Sequence, residues 1–490
     1  MSRAYEDYSP GPGIRGSLIC EDYLILKPEE GSCKDVFRLL LRDDTRNKLI
    51  VTPSEFQQEL IRFNYRWLLF VSALMLKWFR FIKTPLAFLG NFLEFSINLI
   101  YDNHGLLNLF LNFIKGNVHI PNKSSETYRS MVGLLDGRVD FDPKIQLGHV
   151  NYEASLSWMA SKLSYENSAY IKTIVENRWK MKVLGTYDFR NEFEGNNSTH
   201  AIMLHNMSKD KDITVVAFRG TKPFDADDWC VDLDISWYDL AQVGRVHRGF
   251  IKALGLHRTN KNVIGFPKEI EMGHKSPNFA YYKIRQALKH IIVQNKDAKF
   301  ILAGHSLGGA LAILFASVLI LHEERKLLDR LEGVYTFGQP RVGDEEFGEF
   351  MKHNLEAYNV KYLRFVYCND IVPRLPYDDN TLLFKHFGRC LYYDSFYNGK
   401  EMEEEPNKNY FSLLWMMPKY LNAGWELLRG FILPYMKWGG PNYKEGWCQH
   451  MYRLIGLLCP GLSAHGPQDY TNLTRLPHFS LSRDHHKRKL

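Results

Sequence analysis

The sequence predicts an α/β fold with a mostly parallel central sheet, and three observations carry that expectation. Between residues 150 and 395, short apolar runs rich in Val, Ile and Phe alternate with stretches of helical periodicity, the pattern of strands joined by crossover helices. Residues 299–303 lead through Gly304-His305-Ser306-Leu307-Gly308 into an uninterrupted apolar stretch, which reads as strand, sharp turn and helix. The chain has 490 residues, 45% hydrophobic and 24% charged, which are ordinary globular values and exclude a disordered chain.

Residues 1–60 are mixed and polar. Residues 11–16 match GxGxxG, but no strand precedes them and Pro12 interrupts them, so a dinucleotide site is not expected. The start of the chain has no apolar run of the secretory kind, and the seven cysteines form no CxxC pair. A reducing, non-secreted location without a disulfide framework is therefore expected.

Residues 61–115 change character. Residues 67–76 carry no charge; Lys77, Arg80 and Lys83 follow, and then Pro85. These basic residues disfavour a membrane-spanning helix, which needs about 20 apolar residues. On a helical wheel they join Arg62 and Arg66 within an arc of about 120°, the rest of the surface being aromatic and aliphatic. The pattern suits a helix lying in the headgroup layer of an anionic lipid surface. A second helix is expected after Pro85, with Asn91, Glu94, Asn98 and Asp102 on one face.

In the α/β region, strands are expected at 181–189, 201–205, 213–218, 299–303, 333–337 and 361–367, with an antiparallel edge strand at 384–393. Helices are expected at 154–162, 280–294 and 309–324. Residues 396–460 form an aromatic-rich insertion. Pro418 can sit in the first turn of a helix there, with Lys419, Asn422, Glu426 and Arg429 on one face and Trp415, Tyr420, Leu421, Trp425, Leu428 and Phe431 over the remainder. That helix is a second candidate for lipid contact or for supporting a lid.

A serine nucleophile needs a tight turn that exposes its Oγ, and glycines two before and two after it remove side chains that would collide there. Ser306 is so placed. The helix that follows aims its first N–H groups at the site, where negative charge would develop. Serine also needs a base, and the base an orienting carboxylate. Asp370 stands just past the apolar run 361–367, at the carboxyl end of a strand. Among the later histidines, His386 falls inside a strand pattern, and His485 and His486 lie in a charged tail. His465 sits on a Gly- and Pro-marked loop, and His478 is the next candidate.

Five blocks in order now carry a resemblance: Val216-Ala-Phe-Arg-Gly220-Thr221, Val246-His247-Arg-Gly249-Phe250, Gly304-His-Ser306-Leu-Gly-Gly309, Thr336-Phe-Gly338-Gln-Pro340-Arg-Val-Gly343, and Asn369-Asp370-Ile-Val-Pro-Arg-Leu-Pro376. The chain resembles the class 3 lipases across roughly residues 150–480. Its hydrophobic 61–115 stretch and its insertion are similar to the plant oil-body branch. The resemblance implies an α/β-hydrolase fold with Ser306 as nucleophile and Asp370 as the acid. It implies Thr221 and the Leu307 N–H as oxyanion hole, and a lid at about 222–237. The family's late His-then-Tyr block points to His465 with Tyr470.

Asp225-Ala-Asp227-Asp228 lacks the glycine of a calcium loop, His322-Glu-Glu lacks the second histidine of a zinc motif, and no phosphate-binding GK[ST] occurs. No metal, no cofactor and no nucleic-acid partner are expected. The reading is a triacylglycerol lipase at the cytosolic surface of lipid droplets. A phospholipase A1 or lower-glyceride lipase is the alternative within the same chemistry, and a non-catalytic lipase-like signalling or scaffold protein the alternative outside it. An acidic optimum is also expected. Asp225, Asp227, Asp228, Asp232 and Asp234 crowd the implied lid, and their charge opposes docking on lipid at neutral pH.

Overall fold

The structure is a computed structural model that describes residues 17–41, 48–53, 62–145, 149, 151–208, 211–256, 265–270, 278–376, 384–408, 410, 412–435 and 443–476. The GxGxxG match at 11–16, His478 and the charged tail lie outside the described residues.

Eight strands form the central sheet in sequence order: β1 (Lys182–Asn191), β2 (Asn196–Ser208), β3 (Lys211–Phe218), β4 (Lys299–His305), β5 (Leu331–Phe337), β6 (Lys361–Tyr367), β7 (Arg389–Tyr393) and β8 (Gly399–Met402). β3 to β7 run parallel, and β1, β2 and β8 complete the edges antiparallel. This is a mostly parallel α/β-hydrolase sheet. The predicted edge strand at 384–393 is corrected. Only its second half is a strand; it lies parallel to β6, and Gly399–Met402 supplies the antiparallel edge. Gly388, at a φ of 77°, sets the turn into β7 and ends any strand before it.

Ten helices matter here: α1 (Phe63–Asp102), α2 (Leu106–Ile114), α3 (Tyr152–Leu163), α4 (Ala226–Leu233), α5 (Ala280–Gln294), α6 (Leu307–Leu321), α7 (Met416–Ile432), α8 (Trp447–Leu458), α9 (Pro460–Ala464) and α10 (Pro467–Arg475). α5 and α6 cover one face of the sheet. α3 and α10 cover the other. α6 is apolar all round because it is enclosed, buried from Leu307 to Ile320.

The first described strand is part of this body. Ser17–Leu26 is a strand that pairs with Trp237–Leu240, Ile50–Val51 and Gly265–Pro267 in a second, small sheet. The first half of α1 packs on that sheet through Tyr65, Leu69, Phe70, Ala73 and Leu76.

One expectation about residues 61–115 is overturned. α1 runs unbroken through Pro85. Pro85 and Phe81 are both exposed, so the Phe81 carbonyl that loses its helical partner can reach water. On the basic stripe Arg62, Arg80 and Lys83 stay exposed, and the last two also hold ion pairs within the chain. Lys77 donates to the Gly31 carbonyl at 2.6 Å, Arg80 pairs with Glu29 at 2.7 Å, and Lys83 pairs with Asp227 of α4. The aromatic side faces out as well, with Trp78, Phe81, Phe88 and Phe92 exposed. Among the described residues no helix is long and apolar enough to cross a membrane.

Candidate active site

The site assembles at the carboxyl ends of β3, β4 and β6, where open parallel sheets place their clefts. β4 ends at His305 and α6 begins at Leu307, leaving Ser306 alone on the turn at φ 58°, ψ −133°. Few non-glycine residues adopt that backbone, and strain of this kind marks functional turns. It is held by the Ser306 N–H, which donates to the Phe337 carbonyl at 2.9 Å. A Cβ on Gly304 would overlap the Gly308 carbonyl, and one on Gly308 would overlap the Phe218 carbonyl, so the turn closes only with these glycines.

β6 delivers Asp370, which is fully buried. Nδ1–H of His465 donates to Asp370 Oδ2 at 2.8 Å, and the Tyr470 hydroxyl donates to the same oxygen at 2.6 Å. The Val372 amide donates to Oδ1 at 2.9 Å. Three donors on one buried carboxylate fix its position and orientation. With the proton on Nδ1, Nε2 of His465 is bare, and it is buried without a hydrogen-bond partner among the described residues. A bare, oriented nitrogen of this kind can take a proton from a nearby hydroxyl. His465 lies between α9 and α10.

His305, next to the serine, ties the pieces together. Its ring stacks on His465 at 4.5 Å between centroids. Its Nε2 donates to the His465 carbonyl at 3.2 Å, since a carbonyl can only accept, and its Nδ1 therefore accepts from the Tyr165 hydroxyl at 3.0 Å. Burial, and then the neighbouring His465, hold His305 far below the usual histidine pKa, so it stays neutral.

Thr221 follows β3, and its hydroxyl donates to Asp232 of α4 at 2.7 Å. Neither the Thr221 nor the Leu307 amide donates to another group among the described residues. Burial lifts Asp232 to about 7, against the opposing pull of the Thr221 hydroxyl and His465 and with a further push from Asp228. Burial also lifts Asp228 to about 6 and Glu194 to about 8.

All five residues expected from the sequence come to this region: Ser306, Asp370, His465, Thr221 and Leu307. Three contributors were not foreseen. His305 occupies a variable position inside the glycine–serine motif, and no local signal distinguishes it. Tyr165 sits 140 positions from its partner. Asp232 counted only as one of five crowded carboxylates. Among the described residues there is no group of three or more His, Cys, Asp or Glu able to hold a metal.

α4 lies over this region and is held by α1. The Ser72 hydroxyl donates to the Leu233 carbonyl at 2.9 Å, the Cys230 thiol to the Leu76 carbonyl at 3.9 Å, and Phe79 stacks on Trp229 at 6.2 Å. Lys83 adds its ion pair with Asp227.

Comparison with known proteins agrees with this picture. The family described as lipase (class 3) matches residues 215–380. A triacylglycerol lipase OBL1 from Arabidopsis thaliana is 40% identical over 96% of this chain and 98% of its own length. A triacylglycerol lipase OBL1 from Nicotiana tabacum is 42% identical over 84% of both chains. Among solved structures, lipase II from Rhizopus niveus aligns with 50% of this chain and 80% of its own at 21% identity and a TM-score of 0.35. With two relatives above 40% or at 40% identity over most of their length, the chain belongs to the class 3 lipase family and is a carboxylic-ester hydrolase of that family.

Proposed function

We propose that the chain is a triacylglycerol lipase acting at the cytosolic surface of lipid droplets, with Ser306, His465 and Asp370 as its triad. The observation that carries the reading is His465, anchored through Nδ1–H to Asp370 with a bare Nε2, its ring stacked on the residue that precedes Ser306. His465 takes the Ser306 proton as Oγ attacks the ester carbonyl. The Thr221 and Leu307 amides hold the oxyanion. His465 then returns the proton to the departing glycerol oxygen, and water, activated by the same base, releases the fatty acid. The names of the plant relatives favour triacylglycerol as substrate, and the exposed apolar side of α1 and α2 favours a lipid surface. α4, within the segment 222–237, is the lid.

An acidic optimum belongs to the same proposal, but the cause moves from lid crowding to one residue. Asp232 bonds the Thr221 side chain beside the developing oxyanion. Ionised, it opposes that charge; neutral, it does not. Lifted to about 7, it is neutralised as pH falls below that value, so activity rises on the acidic side of 7.

The test is fatty-acid release from emulsified triolein by wild type, Ser306→Ala and His465→Gln. Both variants should fold and lose at least about 10³-fold in kcat. Turnover near wild type in either one removes that residue from the triad.

A further inference from the structure

The insertion folds as two helices turned inside out. In α7, Lys419, Glu426 and Arg429 are buried, the last two at 1% exposure each, while Leu421 stands at 70% and Leu428 and Phe431 at 59%. α8 repeats the inversion: Gln449 and Arg453 are buried, and Met451, Leu454 and Leu458 are exposed. A helix at a water-facing surface has the opposite arrangement. Arg429, Glu426 and Arg453 bond within one network around Asp469 and Tyr367, and Lys419 donates to the Tyr410 carbonyl. Arg429 donates to Asp469 at 2.8 Å and to the Tyr367 hydroxyl at 2.7 Å. Arg453 pairs with Glu445 at 2.7 Å and with Asp469 at 2.9 Å. The orientation is therefore fixed by a buried polar network, and the apolar side is left outward.

What covers that side follows from its charge and its neighbours. The charged residues of α7 are Lys419, Glu426 and Arg429, and that of α8 is Arg453; all four are buried, so the outer face presents no charge. A face for a soluble protein partner has a polar, charged rim around its apolar centre. This face instead continues into more apolar surface, with Arg129 over the Tyr101 ring at its margin. Tyr101, at the end of α1, lies against Trp447 and Cys448 at the start of α8. Beyond it α2, which contains no charged residue, exposes Leu107, Phe110 and Phe113. α8 also leads through Cys459 directly into α9 and His465.

We propose that the outer faces of α7 and α8 are the docking surface for an uncharged lipid monolayer, a zwitterionic phospholipid coat over neutral oil, and that they seat the His465 loop at that interface. This rests on the lipase reading for what the docked enzyme does, but not for the docking itself.

The test is flotation with triolein droplets coated in phosphatidylcholine. It uses wild type, Leu421→Glu/Leu428→Glu on α7 and, separately, Leu454→Glu/Leu458→Glu on α8, with a soluble short-chain ester assay on each protein. Wild type should float, and its bound fraction should not fall between about 0.05 and 0.5 M salt, because no charge contributes. Each variant should lose at least about tenfold in partition and keep the wild-type rate on the soluble ester, which also reports its fold. Variants that float like wild type overturn the proposal, as does wild-type binding that collapses with salt. A wild-type dimer in sedimentation that the variants dissociate, with flotation unchanged, assigns the face to a second copy and also overturns it. A wild type that floats but hydrolyses no ester leaves the docking intact and defeats the lipase reading instead.

Discussion

Asp370 accepts three hydrogen bonds, and the Tyr470 hydroxyl at 2.6 Å is the shortest of them. A hydrogen bond to a charged group contributes roughly 1.5–3 kcal/mol, which equals about 10–100-fold in rate if the charge must be held for catalysis. Tyr470→Phe should therefore lower kcat on a soluble ester by about that factor with KM unchanged. An unaltered kcat would mean that His465 alone keeps Asp370 in place. Asp232 yields a second residue-level prediction. Asp232→Asn keeps a hydrogen-bond acceptor for Thr221 but removes the charge that titrates near 7. Its pH–kcat profile on a soluble ester should lose the decline on the neutral side, so the optimum moves toward neutral. A profile that keeps the wild-type shape places the titration elsewhere. Ser306, Asp370 and His465 were legible because each sits at a boundary the sequence marks: a strand–glycine–helix turn, a strand end, a Gly–Pro loop. His305, Tyr165 and Asp232 were not, because their roles depend on partners 160, 140 and 11 positions away.

At the scale of elements, α1 and α4 form one unit. Leu69 of α1 is fully buried in the small-sheet core, so Leu69→Ala should destabilise the protein by ~2–5 kcal/mol in chemical denaturation. Stability equal to wild type would mean α1 does not pack there in solution. The deletion of residues 61–115 that the sequence invites as a test of lipid binding would remove this core as well. Substitutions on the exposed α2 residues Leu107, Phe110 and Phe113 separate the two effects. The pH response of α4 follows from the carboxyls around it. Asp232 and Asp228 have packed-state pKa values raised to about 7 and about 6. Asp228 faces Arg219, Lys222 and Asp225; Asp227 is tied to Lys83. A carboxyl raised by packing stabilises the packed state below its unfolded pKa, near 4, and that contribution is lost as pH rises through 6 to 7. Amide exchange across Ala226–Leu233, corrected for intrinsic rates, should be more protected at pH 5 than at pH 8. Equal protection would show that these carboxyls do not report on the packing of α4. The sign is opposite to the lid-repulsion argument from sequence, which treated the five aspartates as exposed in the resting state. Pattern placed the strands well, but it could not show that the basic stripe of α1 faces α4 and the loop near Glu29, because periodicity defines a face and not what it meets.

Over the whole molecule, an α/β-hydrolase body has the proposed catalytic groups at one end of a parallel sheet, a helix tied across that end, and exposed apolar faces on α1, α2, α7 and α8. The inversion of α7 was half visible in the sequence and that of α8 was not: the two faces of α7 were drawn, but which one turned inward depended on Asp469 and Tyr367, outside the insertion. The proposed mechanism rests on Ser306 Oγ as the nucleophile that receives the acyl group from the ester. The most direct measurement is to inhibit the enzyme with a long-chain alkyl fluorophosphonate, map the adduct by peptide mass spectrometry and follow triolein hydrolysis in the same samples. The account predicts one adduct, on the peptide carrying Ser306, with activity lost in proportion to labelling. An adduct on another residue with the same loss, or full labelling of Ser306 with hydrolysis intact, would contradict it.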